Sequence, residues 1–419
     1  MTSWGNLQPL SPEFYTLLRY GLFLVLFLHL PVIGYLIGGS SVSLFLNFFG
    51  KEKRDPACLR FSKELMETVL IGKSALFLFG LVPLALVWFI YARILFDATP
   101  LPWQFWSAIL GILLGGFALL HRYRSAWDRA PGLPSFHIET GAAGLLAVIL
   151  AFFLFSSGYG VLFNPEKLPL LQKQIRFLLS WNAVVKFLLF LAFFFGMTGA
   201  VILLLGGRSS GEGEGTDPAY RGFVRDCGAN LTFFATLALP VFVLLELVTL
   251  PEIALSATVF ATSAAVLLLS LGVCLILALA SGTGDGGPGA RVLTLYVLIF
   301  LAILMHDHAA VGNAYQDRIA FLKMQEPAGA GKSAEEQGKA VFETKCAGCH
   351  RFDIKVVGPP LGEVVPKYGG DVEKLKGFLR NPVKVNPDYP PMPKLGLPEE
   401  EIDAVSRYLI GQVSRGGSS

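Results

Sequence analysis

Along most of this chain apolar residues do not alternate with polar ones; they come in unbroken runs. Eight runs lie near residues 17–38, 69–95, 102–123, 138–160, 174–206, 223–249, 253–280 and 290–307. A hydrocarbon layer about 30 Å thick is crossed by roughly 20 apolar residues in a helix. Backbone groups find no water there, so a helix, which pairs them internally, is the natural form. The pattern therefore predicts an all-α protein with a polytopic bundle of eight transmembrane helices. The run at 174–206 is long enough to tilt or protrude. After the eighth run the pattern changes. "VGNAYQDRIAFLKMQE" reads as a short helix and "PAGAGKSAEE" as a linker of small and charged residues. From about residue 333 the composition is that of a small soluble domain. The expected division is a transmembrane domain over 1–310, a tether over 311–332 and a soluble domain over 333–419. No repeat at solenoid spacing is seen.

Composition agrees. Of 419 residues, 53% are hydrophobic and 16% charged, where a soluble protein carries about 25% charge. A net charge of +3 gives no reason to expect a nucleic-acid partner; membrane lipid is the expected surrounding. Cys58, Cys227 and Cys274 are scattered singly and imply no disulfide framework. The N-terminal sixteen residues lack a basic region, and the apolar run that follows is too long for a cleavable signal.

The loops orient the bundle. "KEKRDPACLRFSK" (51–63) is strongly basic, "HRYRSAWDRAPG" (121–132) carries Arg122, Arg124 and Arg129, and residues 207–225 carry Arg208, Arg221 and Arg225. In an eight-helix count these three loops share one side, and the bias of Lys and Arg toward the cytoplasm makes it the inner one. Both termini then lie outside, although Lys167 and Lys173 in the 161–173 loop weigh the other way.

The soluble segment contains "FETKCAGCHRFD" (342–353). Cys346-Ala-Gly-Cys349-His350 has the spacing of a covalent c-type haem attachment site. Two thiols on one turn can each add to a vinyl group of the same porphyrin, and the adjacent imidazole then points at the iron. His350 is the expected fifth ligand. A soft sixth donor should come from a distant loop. Met392 lies 42 residues further on (392 − 350), among Pro390, Pro391 and Pro393, whose fixed φ stiffens the loop. "LPEEEIDAVSRYL" predicts a closing helix with an acidic first turn suited to its dipole. His/Met ligation raises the reduction potential and suits an electron carrier. Met324 is a rival ligand, placed before the motif.

With "GKAVFETKCAGCH", "VGPPLG" and "PPMP" in this order, the segment resembles class I cytochrome c. The resemblance implies a small α-helical domain with one covalent haem c, and a carbonyl of Pro359 or Pro360 orienting His350. Haem attachment of this kind takes place outside the cytoplasmic membrane, which agrees with the loop count.

A single-haem domain needs one anchor helix, so eight helices suggest a further role. His29 lies ten residues after Arg19 in the first run, about 15 Å along a helix and near mid-membrane. A histidine there suggests function; a haem ligand and a histidine bonded to a backbone carbonyl are the two readings. His306 and His308 flank Asp307 at the outer end of the eighth run and are candidates for a second haem or a metal, or are solvated. His121 and His137 fall at inner helix ends and could face each other. Lys73 and Lys186 lie within apolar runs, with Asp226 and Glu246 near helix ends. Lysines so placed need partners or lose their proton; they could serve proton transfer, pair with haem propionates, or snorkel.

Arg19 and His29, with the outside-first topology, resemble subunit I of cytochrome bd-type oxidases. The resemblance implies a haem b in the membrane domain, with His29 as its candidate iron ligand. This chain departs from that family in two places. The loop that would oxidise quinol is only "TLPEI", and "FLLSWNAVVKFLLF" has no fifth-helix histidine. Two functions follow. One is a bd-oxidase-like haem subunit of the bacterial inner membrane, exchanging electrons with its fused cytochrome c on the outer, periplasmic face and reducing oxygen or another small oxidant. The other is a non-enzymatic, membrane-anchored electron carrier of a larger respiratory complex. Both imply respiratory partner subunits and a redox partner protein on the outer face. No catalytic residue is identified.

Overall fold

The computed structural model describes residues 12–70, 80–94, 103–127, 136–163, 180–208, 217–280, 288–316 and 334–416. These are helical with no strand, and the chain divides into two compact units, one of them Pro12–Ile319 and the other containing Ala320–Ser419.

The first unit holds α1 (Pro12–Lys53), α2 (Pro56–Val69), α3 (Val82–Ile94), α4 (Trp103–Ala126), α5 (Phe136–Gly160), α6 (Trp181–Arg208), α7 (Pro218–Thr249), α8 (Ala257–Ala280) and α9 (Gly289–Ala314). Among the described residues seven helices are long and apolar enough to cross a membrane: α1 and α4 to α9. The second apolar run contributes the shorter α3, and the expected count of eight reaches outside the described residues there.

α1 and α6 form the centre. α1 packs against α2, α3, α5, α6 and α9, and α6 against α1, α5, α7 and α9. The outer helices turn large apolar side chains outward, among them Leu268, Leu271, Leu275 and Leu279 of α8 and Leu146 of α5. A surface of that kind has lipid as its solvent. Close crossings rely on absent side chains. A Cβ on Gly199 of α6 would lie 2.4 Å from Thr232 Oγ1, and one on Gly228 of α7 would lie 3.0 Å from the Gly199 carbonyl oxygen. Small residues let helix backbones approach in this way.

Two elements differ from the sequence expectation. α1 runs to Lys53 rather than stopping near residue 38, so its 42 residues extend about 63 Å, twice a hydrocarbon core. The basic segment 51–63 is not a loop throughout. Asp55 accepts hydrogen bonds from the Ala57 and Cys58 amides, Pro56 takes the first turn, and amphipathic α2 follows, packing against α1. α9 continues to Ala314, into the segment expected to form a short helix after residue 310; residues 317–332 of the tether lie outside the described residues.

In the second unit, α10 (Ala334–Val341) leads into a π-helical turn (Phe342–Cys346), followed by α11 (Leu361–Val364), α12 (Val372–Arg380) and α13 (Glu399–Gly416). α10 crosses α13 at Gly338, where a Cβ would stand 2.3 Å from the Ala404 carbonyl oxygen. Val341, Phe342, Cys346, Leu361, Val365, Leu375, Val405, Tyr408 and Leu409 form its core. α12 is tied to α13 at the surface. Arg380 pairs with Glu399 at 2.6 Å, while Asp403 accepts from Arg407 at 2.7 Å and from Lys376 at 3.0 Å. The Arg407 and Lys376 hydrogen bonds hold the Asp403 carboxyl below the usual carboxylate range, and Arg380 does the same for Glu399. A depressed carboxylate contributes stability above its unfolded value that is lost as pH falls. Melting of this unit, followed by haem absorption, is therefore expected a few degrees lower at about pH 3 than at about pH 7. Equal melting at both would remove these pairs from its stability.

Candidate functional site

The attachment motif is held by its own backbone. The Cys346 carbonyl accepts the amides of Cys349 (3.0 Å) and His350 (2.9 Å), closing the turn that carries both thiols. The Cys349 carbonyl accepts the amides of Val357 (3.2 Å) and Gly358 (2.9 Å), and Leu361 and Gly362 donate back to Arg351 and Phe352. Residues 349–362 thus fold over the motif. A Cβ on Gly358 would lie 2.2 Å from His350 Cε1, so only glycine lets the chain pass this ring.

His350 Nδ1 stands 3.1 Å from the Pro359 carbonyl oxygen. Of the two prolines expected to orient the ring, Pro359 does so. This bond fixes the imidazole and leaves Nε2 free to bind iron, as an outer partner does for a ligating histidine. Cys346 is buried and Cys349 exposed; burial pushes the Cys346 thiol upward.

His350 opens onto a cavity of about 360 Å³ whose walls include Cys346, Leu375, Leu379, Tyr389 and Met392, within the range of small-ligand pockets. Met392, expected as the sixth ligand, is half-buried in the same wall. Lys367 and Lys384 also line it and would meet the acid groups of a porphyrin. Two thiols, an imidazole with its outer bond made, a thioether and apolar walls fit a c-type haem, which would supply one-electron transfer. Met324 lies outside the described residues.

The membrane residues are placed differently. His29 is 3% exposed and sits edge-on to Phe155, with ring centroids 5.9 Å apart. The space beside it, walled by Ile33, Leu84, Ile109, Leu113, Val148, Ala151, Phe152 and Phe155, is about 10 Å³. That is room for one water, and pockets for drug-sized ligands are some thirty times larger or more. Among the described residues the space beside His29 is far smaller than a porphyrin. Arg19 donates to the His308 carbonyl at 2.8 Å. The His308 ring faces Tyr20 and Phe23, while His306 Nδ1 lies 3.1 Å from Ser263 Oγ. The two histidines therefore do not converge on a common iron.

His121 and His137 do not pair. His121 lies against Phe117, whereas His137 stacks on Tyr123 at 4.4 Å and meets Trp127 edge-on. Asp226 is a surface residue paired loosely with Arg225 at 4.0 Å. Lys73 lies outside the described residues. Lys186 does not snorkel: it is fully buried and ion-paired with both Glu246 and Asp307. Sequence reasoning singled out Lys186 and Glu246 but not their partnership, because the contact joins residues far apart in the chain.

Comparison with known proteins agrees with the site. The cytochrome c family model matches residues 335–411. Cytochrome c-551 of Stutzerimonas stutzeri is 33% identical over 79 residues, which is 18% of this chain and 76% of that protein. Cytochrome c-551 of Pseudomonas denitrificans is 32% identical over 77 residues (17% and 94%), and that of Azotobacter vinelandii 30% over 79 residues (18% and 96%). These matches leave the long apolar helices outside them.

Proposed function

Because the chain belongs to the cytochrome c family through its C-terminal domain, we propose that it is a membrane-anchored electron carrier of a bacterial respiratory complex. Its working centre is the haem c held by Cys346, Cys349, His350 and Met392. The observation that carries this reading is the single cavity wall shared by His350, oriented by Pro359, and Met392. Held by His350 and Met392, such a haem would supply one-electron transfer and would offer no open position to a substrate. The basic loops support a location in the inner membrane with this domain on the periplasmic face, where a redox partner protein would meet it. An open groove of small side chains on α8, including Ala257, Ala261 and Ala265, supports contact with other subunits.

An oxygen-reducing, bd-oxidase-like role would need a second porphyrin in the membrane unit, and the small space walled by the described residues beside His29 favours the carrier reading. A haem b found beside haem c in the purified protein would restore the oxidase-like reading.

The test is Met392→Ala. Loss of the thioether should open the reduced iron to carbon monoxide and lower the reduction potential, because His/Met ligation raises it. A wild-type protein that already binds carbon monoxide at the haem c, or a variant whose spectrum and potential are unchanged, would contradict the assignment.

A further inference from the structure

The membrane unit contains a buried cluster of charged residues that electron transfer does not use. Lys186 of α6 pairs with Glu246 of α7 and Asp307 of α9. His306 of α9 brings Nε2 to 3.6 Å from Glu246 Oε1, and Tyr159 of α5 stands beside Asp307. All five residues are buried, none more than 4% exposed. Lys186 lies five residues after the start of α6, Glu246 three before the end of α7 and Asp307 seven before the end of α9. At about 1.5 Å per residue the cluster sits roughly 5 to 11 Å below the bundle end opposite the basic loops.

Its charges do not balance. One ammonium faces two carboxylates, which leaves one negative charge where no water solvates it, and an uncompensated buried ion is strongly unfavourable. Asp307 Oδ1 accepts from Lys186, and its Oδ2 has no hydrogen-bond partner among the described residues. Among the described residues His306 Nε2 has no hydrogen-bond partner, and beyond Lys186 neither has Glu246 Oε1. Among the described residues the other packed elements offer the cluster no further charge: α8 contributes Ser263, the turn Val161–Phe163 presents the Phe163 ring to the ammonium at 4.9 Å, and on α1 Arg19 is bonded to the His308 carbonyl.

We propose that this cluster is a proton-binding site: one proton, held between Glu246 Oε1 and His306 Nε2, neutralises it and exchanges with the near membrane face. Uptake converts the Glu246 carboxylate to a carboxylic acid that donates to His306, and release returns the proton to the same face; no electron moves. Tyr159 is the entry point. It stands beside Asp307 and also lines a cleft with Arg19, Phe23, His308 and Val311. Glu246, His306 and Asp307 also bring ligand atoms within 4.8 Å of one another, as a metal would require, but the Lys186 ammonium already stands between the carboxylates.

The test is infrared difference spectroscopy of the full-length protein between two pH values, in H₂O and D₂O. A carboxylic C=O band should grow on acidification, move down in D₂O and be absent from Glu246→Gln. That variant leaves a neutral Lys186–Asp307 pair, so it should fold and keep its haem. His306→Gln should keep the band and shift its midpoint. A band that persists unchanged in Glu246→Gln would overturn the proposal. So would one equivalent of bound metal per chain whose removal by a chelator abolishes the band.

Discussion

Replacing Cys346 and Cys349 together with Ser is expected to leave no haem attached to the chain after denaturation, an all-or-none loss. The consequence should spread beyond the cofactor. Cys346, Leu361, Val365, Leu375 and Leu409 belong both to the domain core and to the cavity wall. Without a porphyrin these side chains line a void of about 360 Å³. Large-to-small substitutions show that far smaller cavities already cost several kcal/mol, of the order of 2–5, and a domain of this size has only about 5–15 kcal/mol of stability to lose. The segment 334–416 should therefore become open to protease while the membrane unit survives. Haem stain on a denaturing gel and limited proteolysis check the two halves separately. Haem that stays bound through denaturation would contradict the attachment, and a protease-resistant segment would contradict the structural role of the porphyrin.

Lys186→Met should carry the second largest effect. It strips from Glu246 and Asp307 the one cation paired with them among the described residues, and breaking a buried ion pair by removing one partner costs about 3–5 kcal/mol. The thermal midpoint in detergent should fall sharply, and the double variant Lys186→Met/Asp307→Asn should regain much of the loss, since it removes one of the two stranded charges. Equal melting of the single variant and the wild type would mean that the three residues are not paired. Haem c content should be the same in all three proteins, which separates this result from the first.

What could be read from the sequence follows the range of the interactions. The haem attachment motif is local: five consecutive residues state the chemistry, and the turn that closes them is made by their own carbonyls. Met392 was legible from its prolines and its order. The choice between Pro359 and Pro360 was not, because it depends on how residues 349–362 fold back. The end of α1 was misread for a similar reason. Gly38, Gly39, Ser40 and Ser41 look like a break, yet a Cβ on Gly38 would clash with Thr198 and one on Gly39 with Val69. These residues keep the helix close to α6 and α2. Asp55 and Pro56 did signal the start of α2, but the charges around them suggested a loop. The buried cluster joins residues 121 apart for Lys186 and Asp307, a pairing that no local pattern announces. His29 is a different case. Its depth and apolar neighbours suited a ligand, but only the packed walls around it reveal how little space they leave.

The most direct test is a pyridine haemochrome spectrum of the purified chain, taken before and after acid extraction of loosely held haem. One haem c per chain, unchanged by extraction, is the predicted result. A spectrum without a c-type haem, or one whose haem is removed entirely by extraction, would contradict the account.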